Sequence, residues 1–474
     1  MLETPVEPHD DSSLGHYCGV AGIRSPSPLD VPSALFYMLF ALQHRGQESA
    51  GIVWAEGGAH RADRRLGMVS AAADAWLSGR AASTGGIGHV RYSTAGGGGI
   101  RNAQPLAVEC SKGSVALAHN GNISNSAALR AALTREGAIF QSSSDSELIL
   151  HLISRSRAEG IEAILREALA PLEGAYSLCM LWGDALVAVR DPWGFRPLHL
   201  AEKDGVRYVA SETCALHALG PSISQREVLP GEVVIVDDRG ERSFFLPPAP
   251  RRARCVFELL YFARPDSRVF GESVHAARER FGEALSEADD VEADLVVPVP
   301  DSGNLAALGY ARRAGIPFEF GITRNHYAGR SFILPTRAER EFAVRMKLHP
   351  VPEIVGGKRV VLVDDSLVRG TTSRLIVGLL KEAGAREIHL RLSAPELTGP
   401  CGYGIDIPDR SELISNRMSP DQIARHVGAD TVRFLPPDLL RSRLAEPSEY
   451  CYACFDGDYP CPIRNGAGKE TPCP

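Results

Sequence analysis

The stretch "VVLVDDSLVRGTT" (residues 360–372) joins an apolar run, two adjacent carboxylates and a loop rich in hydroxyl groups. The run is apolar on both faces, which predicts a central strand of a parallel sheet. The sequence "TTSRLIVGLLKEAG" that follows it predicts a helix that begins at the threonines and ends at Gly384. Because ligands of open α/β sheets bind beyond the carboxyl ends of the strands, the loop is a candidate binding site.

The loop has the features of a phosphate site. The free N–H groups and the positive dipole end of a helix N-terminus bind anions, Gly370 lets the backbone approach closely, and Thr371 and Thr372 add donors. Asp364 and Asp365 can accept hydrogen bonds from sugar hydroxyls, or hold Mg²⁺ directly or through water. An isolated pair of aspartates is more often a solvated turn. With the phosphate-type loop attached, the pair predicts a phosphorylated ribose as ligand.

The regions around this loop predict two kinds of fold. From 270 to 400, helical stretches alternate with β-branched runs, which predicts a parallel sheet with helices on its faces. Residues 18–240 contain short apolar runs, glycine turns and helix-like segments at 33–43 and 145–169, which predict an α+β layered structure. The proline-rich, basic stretch 246–254 predicts a boundary between them.

Composition excludes several functions. The chain has 474 residues, of which 44% are hydrophobic and 23% charged, as is typical of a globular protein with two or three domains. Its net charge of −7, without a long basic block, argues against nucleic-acid binding. No apolar run has the ~18–20 residues of a membrane span. The first seventeen residues are acidic and unlike a secretory signal, so we expect a cytoplasmic protein with no membrane partner.

The opening stretch resembles the fingerprint of type I phosphoribosyltransferases, which bind phosphoribosyl pyrophosphate (PRPP) with Mg²⁺. "VVPVPDSG" (296–303) and "TRNHYAGRSFILPT" (323–336) resemble the pyrophosphate loop and the mobile loop of that family, although the second stretch alone is equally typical of a solvated basic turn. The resemblance implies one Mg²⁺ per subunit, bound near Ser302, Asp364 and Asp365. It implies PRPP contacts from Asp301, Ser302, Gly303, Arg324, Arg330, Lys347, Asp364, Asp365, Ser366, Arg369, Gly370, Thr371 and Thr372.

A second resemblance covers the front of the chain. A lone cysteine such as Cys18 in "CGVAGI" is usually a small core residue. Here it is followed by four motifs in the order and spacing of class II glutamine amidotransferases, which are N-terminal-nucleophile hydrolases. These motifs are "ALQHRGQESAGI" (41–52), "GIGHVRYSTAG" (86–96), "AHNGN" (118–122) and "SSSDSE" (142–147).

This resemblance implies an αββα sandwich and a set of roles. Cys18 is the expected nucleophile, and Asn120 with the N–H of Gly121 is the expected oxyanion hole. The residues expected to bind glutamine are Arg45, Arg91 and Asp145. In this chemistry the α-amine of the first residue, with a pKa of about 8, takes the proton from the attacking thiol. The sequence therefore predicts a propeptide, residues 1–17, removed by cleavage of the Tyr17–Cys18 bond.

The two halves together resemble the amidophosphoribosyltransferase family. The implied reaction opens de novo purine synthesis: glutamine, PRPP and water give 5-phosphoribosylamine, pyrophosphate and glutamate. Ammonia would pass between the sites through an apolar passage near Tyr92, Tyr261 and Ile333. The family also implies a homotetramer inhibited by purine nucleotides. The chain is expected to have five parts. They are a propeptide (residues 1–17), an amidotransferase domain (18–245), an interdomain segment (246–270), a phosphoribosyltransferase domain (271–420) and a helical, cysteine-rich tail (421–474).

Two other functions compete with this interpretation. A PRPP-sensing regulator would explain the motifs at 270–400 but not those around Cys18, and a glutaminase that serves another sugar phosphate would not explain 364–372. A PRPP-sensing regulator would not release pyrophosphate from PRPP when ammonia is added, whereas an amidophosphoribosyltransferase would.

The cysteines predict a further site. "CYAC" (451–454) alone fits zinc, redox or iron–sulfur chemistry. The resemblance implies that Cys255, Cys401, Cys451 and Cys454 bind a structural [4Fe–4S] cluster. Whether Cys461 or Cys473 takes part stays open at this point.

Overall fold

The computed structural model describes residues 18–79, 82–92, 99–220, 223–326, 342 and 344–463. The predicted propeptide, Arg330, Ile333 and Cys473 lie outside the described residues.

The first sheet is antiparallel and carries Cys18 at the start of a central strand. Within the described residues it has seven strands, in which Gly19–Asp30 pairs with Val206–Ala210 on one side and Ala82–Arg91 on the other. The remaining strands are Ser49–Glu56, Ala59–Leu66, His199–Lys203 and Ser224–Glu227.

The second sheet is also antiparallel and lies against the first. In the part of the chain that the structure describes it has six strands, and Gly113–Ile123 pairs with Gly174–Trp182 near its middle. The others are Leu106–Cys110, Ala185–Arg190, Glu232–Asp237 and Gly240–Phe245. Side chains of both sheets, such as Val20, Ile87, Ala118 and Leu181, are fully buried together between them.

Helices cover both outer faces and complete the αββα sandwich. Val31–Ala41 packs on the first sheet, where the Asp30 side chain accepts a hydrogen bond from the Ser33 N–H at its N-terminus. Ser146–Arg155 and Ile161–Leu169 pack on the second sheet. The sequence predicts one helical segment at 145–169, whereas the structure has two helices with Gly160 preceding the second. The shorter helices of this half are Ala73–Trp76, Ser126–Arg135 and Thr213–His217.

The second half contains a parallel sheet, as the alternation of helices and strands predicts. Its four strands in the described residues run in the order Leu295–Pro298, Arg359–Asp364, Glu387–Leu392 and Thr431–Phe434. Val274–Glu287 and Asn304–Ala314 pack on one face, and Thr371–Glu382 and Pro420–Val427 on the other. The predicted helix after the aspartates therefore begins at Thr371, as expected.

Short elements connect these parts. A π-helical turn, Glu258–Phe262, follows the stretch 246–253, which contains no strand or helix. The strand Arg254–Cys255 pairs in parallel with Tyr450–Cys451. Residues near the end of the described chain therefore pack against the segment that joins the two halves. The other short pairs are Arg268–Val269 with Glu272–Ser273 and Ile322–Arg324 with Leu348–Pro350, and the other short helices are Pro352–Val355, Pro437–Ser442 and Ala453–Asp456. Among the described helices, none combines the length and the apolarity needed to cross a bilayer.

Candidate active sites and a cysteine-lined cavity

Cys18 directly precedes Gly19–Asp30, a central strand of the first sheet. Its Sγ lies 3.7 Å from the carbonyl oxygen of Tyr92. Burial raises the pKa of the thiol, and the positive charge of Arg91 only partly opposes this effect. The thiol is therefore protonated at neutral pH and needs a base before it can attack.

The histidine nearest to Cys18 along the strands is not suited to be that base. His89 lies opposite Val20 in the adjacent strand, and its ring nitrogen Nε2 lies 3.0 Å from the carbonyl oxygen of His119. Burial lowers the pKa of His89 to about 3, so its imidazole is a weak proton acceptor at neutral pH. This environment is compatible with an α-amine at Cys18 as the base.

Asn120 is buried without a partner for its side chain. Both amide atoms are inaccessible to solvent, and neither forms a hydrogen bond within the described residues. An unsatisfied buried amide is costly, and such groups concentrate at functional sites. The next residue, Gly121, has φ +150°, and a Cβ there would lie 2.1 Å from the Ala175 carbonyl oxygen. The two residues expected to form the oxyanion hole therefore lie together on one strand, with an unused donor.

The predicted glutamine-binding residues have partners in this chain. Arg91 is buried and its Nη1 donates to Glu48 Oε1 at 2.9 Å. Asp145, which precedes the helix Ser146–Arg155, accepts from the Ile123 N–H at 2.9 Å. Both charges act on the Cys18 thiol, which places them close to the nucleophile.

Arg45 is enclosed rather than facing the solvent. Its Nε donates to the carbonyl oxygen of Cys18 at 3.1 Å, and its other donors bind Glu212 and Glu258. Arg45 is 1% exposed, and both carboxylates are fully buried. The structure thus shows Arg45 holding the backbone of the nucleophile, and its expected role in binding glutamine remains a prediction.

The second candidate site is an open cleft at the carboxyl ends of Leu295–Pro298 and Arg359–Asp364. Gly370 has φ +80°, the left-handed conformation that glycine adopts most readily, directly before the helix that begins at Thr371. The predicted residues that line the cleft are Asp301, Ser302, Arg324, Lys347, Asp364, Asp365, Ser366, Gly370 and Thr372.

The two aspartates lie side by side, as the sequence predicts. Ser302 Oγ donates to Asp364 Oδ1 at 3.1 Å, and Ser366 Oγ donates to Asp365 Oδ2 at 2.5 Å. Burial and, for Asp364, the neighbouring carboxylate raise the pKa of both side chains. This arrangement of carboxylate and hydroxyl oxygens suits a hard cation such as Mg²⁺ or the hydroxyls of a sugar.

Some predicted PRPP residues are placed elsewhere. Arg369 donates to Glu412 Oε2 at 2.6 Å and is not among the residues that line the cleft. Thr371 is exposed, and Gly303 is buried behind the loop; neither lines the cleft. Arg324 lines it but is bound to Asp301.

The cleft extends to the amidotransferase half. His44 and Gln47, from the motif that contains Arg45, line it together with Tyr261 of the π-helical turn. His44 Nε2 lies 2.7 Å from Glu212 Oε1, the same carboxylate that binds Arg45. Glu212, Glu258 and His44 were not among the expected site residues, although His44 lies within the motif at 41–52.

A third feature is a small cavity lined by Cys255, Cys401, Cys451 and Cys454. Burial raises the pKa of all four thiols, and the buried guanidinium of Arg196, which lines the same cavity, opposes this rise for three of them. Arg196 is held by the Tyr403 carbonyl oxygen at 2.7 Å and by Glu258.

The four thiols lie around one enclosed space. A single zinc ion needs its sulfur ligands about 2.3 Å from one point. Within the described residues, no three or more His, Cys, Asp or Glu side chains are arranged around one such point. The donor set, four thiols around an enclosed space, suits either zinc or an iron–sulfur cluster by its chemistry. Cys461 does not line the cavity; it lies against Tyr403, whose hydroxyl accepts from the Cys461 N–H at 3.1 Å.

Known protein families match the two halves of the chain separately. Residues 89–218 match a family model described as a glutamine amidotransferase domain, and residues 272–403 match one described as a phosphoribosyl transferase domain. The chain is 44% identical to an amidophosphoribosyltransferase of Bacillus subtilis, with 95% of each chain covered. It is 43% identical to one of Methanocaldococcus jannaschii, with 94% of this chain and 98% of the relative covered.

Solved structures agree with these relatives. A glutamine PRPP amidotransferase from B. subtilis, complexed with ADP and GMP, superposes with a TM-score of 0.87 at 43% identity, covering 94% of this chain and 97% of the other. A structure described as the allosteric regulatory enzyme of purine biosynthesis gives a TM-score of 0.88 at 44% identity, with the same coverage. Because its two matched domains, its relatives and the solved structures all agree, the chain belongs to the amidophosphoribosyltransferase family.

Proposed function

We propose that this chain transfers the amide nitrogen of glutamine to PRPP, which gives 5-phosphoribosylamine, pyrophosphate and glutamate in the first step of purine synthesis. The observation that carries the proposal is the connection of two sites. The cleft with Asp364 and Asp365 reaches His44, and Glu212 binds both His44 and Arg45, which holds Cys18.

The first half-reaction uses the residues around Cys18. The thiol gives its proton to the α-amine that cleavage frees, and Sγ attacks the amide carbon of glutamine. The oxyanion so formed accepts hydrogen bonds from the Asn120 amide and the Gly121 N–H. When this intermediate collapses, the nitrogen leaves with that proton as ammonia, and water then hydrolyses the thioester to glutamate. Arg91 and Asp145 are the proposed partners of the α-carboxylate and the α-ammonium.

The second half-reaction uses the cleft. Ammonia attacks the ribose carbon that carries pyrophosphate, the bond to pyrophosphate breaks, and the new C–N nitrogen releases one proton to the departing pyrophosphate or to water. Ser302, Asp364 and Asp365 would hold one Mg²⁺, which, when bound, neutralises charge on the leaving pyrophosphate. Lys347 lines the cleft and adds positive charge, and the backbone at Gly370 is the proposed cradle for the 5-phosphate.

The path of ammonia is proposed to run between the two sites past Tyr92 and Tyr261. The Tyr92 carbonyl contacts the Cys18 thiol, and Tyr261 lines the cleft. An enclosed route keeps ammonia from the solvent, where it would be protonated and unreactive.

Removal of residues 1–17 is the first testable consequence. In active protein we expect N-terminal sequencing and intact mass to give Cys18 as the first residue, because only a free α-amine supplies the base. If the cleavage is autocatalytic, Cys18→Ala protein retains the leader, whereas Cys110→Ala protein, altered at the end of a strand in the second sheet, loses it. Fully active protein that carries the leader would contradict the proposal.

We further propose a structural [4Fe–4S] cluster in the cysteine-lined cavity. Cys255, Cys401, Cys451 and Cys454 supply the four thiolates, and Arg196 offsets part of their charge. When bound, the cluster links the connection between the two halves to the end of the chain, because two ligands lie on the paired strands Arg254–Cys255 and Tyr450–Cys451.

Cys454→Ser separates this proposal from a site without iron. We expect the variant to lose most of its iron and its visible absorbance, because one of four thiolates is missing. Cys461→Ser is the matched control and keeps both, since Cys461 does not line the cavity. Zinc instead of iron in the wild-type protein, or full iron in Cys454→Ser, would contradict the proposal.

Regulation, assembly and location complete the proposal. The relative solved with ADP and GMP supports inhibition by purine nucleotides. We also propose a homotetramer in the cytoplasm and the domain limits given above. A PRPP sensor without catalysis is distinguished by pyrophosphate release from PRPP and ammonia, which the proposed enzyme performs and a sensor does not.

A further inference from the structure

Arg278 lies in the cleft wall and belongs to no predicted motif. It is on the helix Val274–Glu287, is 5% exposed and lines the cleft. Its Nε donates to the Leu259 carbonyl oxygen at 2.9 Å, and its Nη2 donates to the Ala263 carbonyl oxygen at 2.8 Å. The guanidinium therefore bridges the π-helical turn that carries Tyr261.

The charge of Arg278 has no ion-pair partner among the described residues, in contrast to the buried pairs of Arg45 and Arg391. Burial lowers the pKa of Arg278 to about 10, and Asp365 is the largest of the opposing influences. The side chain is still cationic at neutral pH. A buried cation is costly unless other groups compensate it, and two neutral carbonyls do so only in part.

The cleft offers a reason for such a charge. Its predicted ligand carries several negative charges, yet one of its other cations, Arg324, is already bound to Asp301. A cation fixed by two carbonyls needs no reorganisation when an anion arrives, and it acts most strongly where water is excluded.

We propose that Arg278 is a positioning residue of the PRPP site. Its two hydrogen bonds to backbone carbonyls hold the turn 258–263 in place as one wall of the cleft. Its buried positive charge favours binding of the anionic substrate beside the two aspartates. The inference rests on the proposed function, since it assumes that PRPP is the ligand of the cleft.

Two substitutions separate charge from bracing. Arg278→Lys keeps the positive charge but cannot form both hydrogen bonds to the turn, and Arg278→Met loses the charge and both hydrogen bonds. Arg280→Met is the matched control, because Arg280 lies on the same helix but binds Glu272 and the Arg443 carbonyl oxygen. PRPP binding is measured by calorimetry on the full chain with Mg²⁺, together with KM and kcat for the ammonia-dependent reaction and the melting temperature.

We expect Arg278→Met to weaken PRPP binding and raise KM by about ten- to a hundredfold, as is typical when a partner of a ligand-binding group is lost. Arg278→Lys should recover part of this loss, and Arg280→Met should stay within about twofold of the wild type. A lowered melting temperature with unchanged PRPP affinity in Arg278→Met would overturn the inference, because the role would then be structural. Equal losses in Arg278→Lys and Arg278→Met would overturn the charge role. Failure of the wild type to bind PRPP would instead overturn the proposed function.

Discussion

Cys18→Ala protein is expected to lose glutamine-dependent synthesis of phosphoribosylamine while it retains the ammonia-dependent reaction. Loss of a nucleophile should lower the glutamine-dependent rate by at least about 10³-fold, since no other group of the site can form the thioester. Ammonia added to the solution bypasses this step, because it can enter the cleft that Asp364 and Asp365 line. The measurement is the release of pyrophosphate with each nitrogen source.

The control for this variant is Cys110→Ala. Cys110 is a partly exposed cysteine whose Sγ lies 3.5 Å from the Gly113 carbonyl oxygen, in a turn of the second sheet. We expect both activities of this protein to match the wild type. Loss of both activities in Cys18→Ala would mean that the two sites are not separable, and retention of glutamine-dependent activity would exclude Cys18 as the nucleophile.

The second large effect is expected for Asp364→Asn, which should lose activity with both nitrogen sources. Asp364 Oδ1 accepts from Ser302 Oγ and from the Asp365 N–H, so the carboxylate organises the loop as well as supplying charge. Removing that charge weakens the binding of Mg²⁺ and PRPP together, and we expect a decrease of at least about a hundredfold in kcat/KM for PRPP. Ammonia-dependent kinetics measure it directly.

Glutaminase activity separates this effect from misfolding. Asp364→Asn protein should still hydrolyse some glutamine when PRPP is absent, because Cys18 and Asn120 lie in the other half of the molecule. Asp421→Asn, an exposed position at the start of Pro420–Val427, is the control of equal charge change and should behave as the wild type. Wild-type PRPP affinity in Asp364→Asn would contradict the assignment of the cleft.

Sequence patterns correctly predicted those elements whose residues are neighbours along the chain. The strand, acidic pair and helix at 360–382 follow one another along the chain, so periodicity and capping chemistry were enough to place them. By contrast, the single helical segment expected at 145–169 was wrong, because it contains Gly160, which interrupts it.

Contacts between distant parts of the chain could not be predicted in this way. Arg196 and Arg45 meet at Glu258, although these residues are far apart in the sequence and no spacing rule relates them. Arg369 resembles a phosphate ligand by its position in the sequence, yet it pairs with Glu412 and does not line the cleft. Arg278 follows no motif at all, because its function depends on a turn that reaches it only in the folded structure.

The pairing of Arg254–Cys255 with Tyr450–Cys451 has a consequence for biosynthesis. The ribosome makes Cys255 long before Cys451 and Cys454, so the growing chain holds only part of the cysteine-lined pocket throughout translation of the second half. Assembly of that pocket can finish only after release of the last segment, and a prematurely terminated chain would leave an incomplete set of thiols exposed to oxidation.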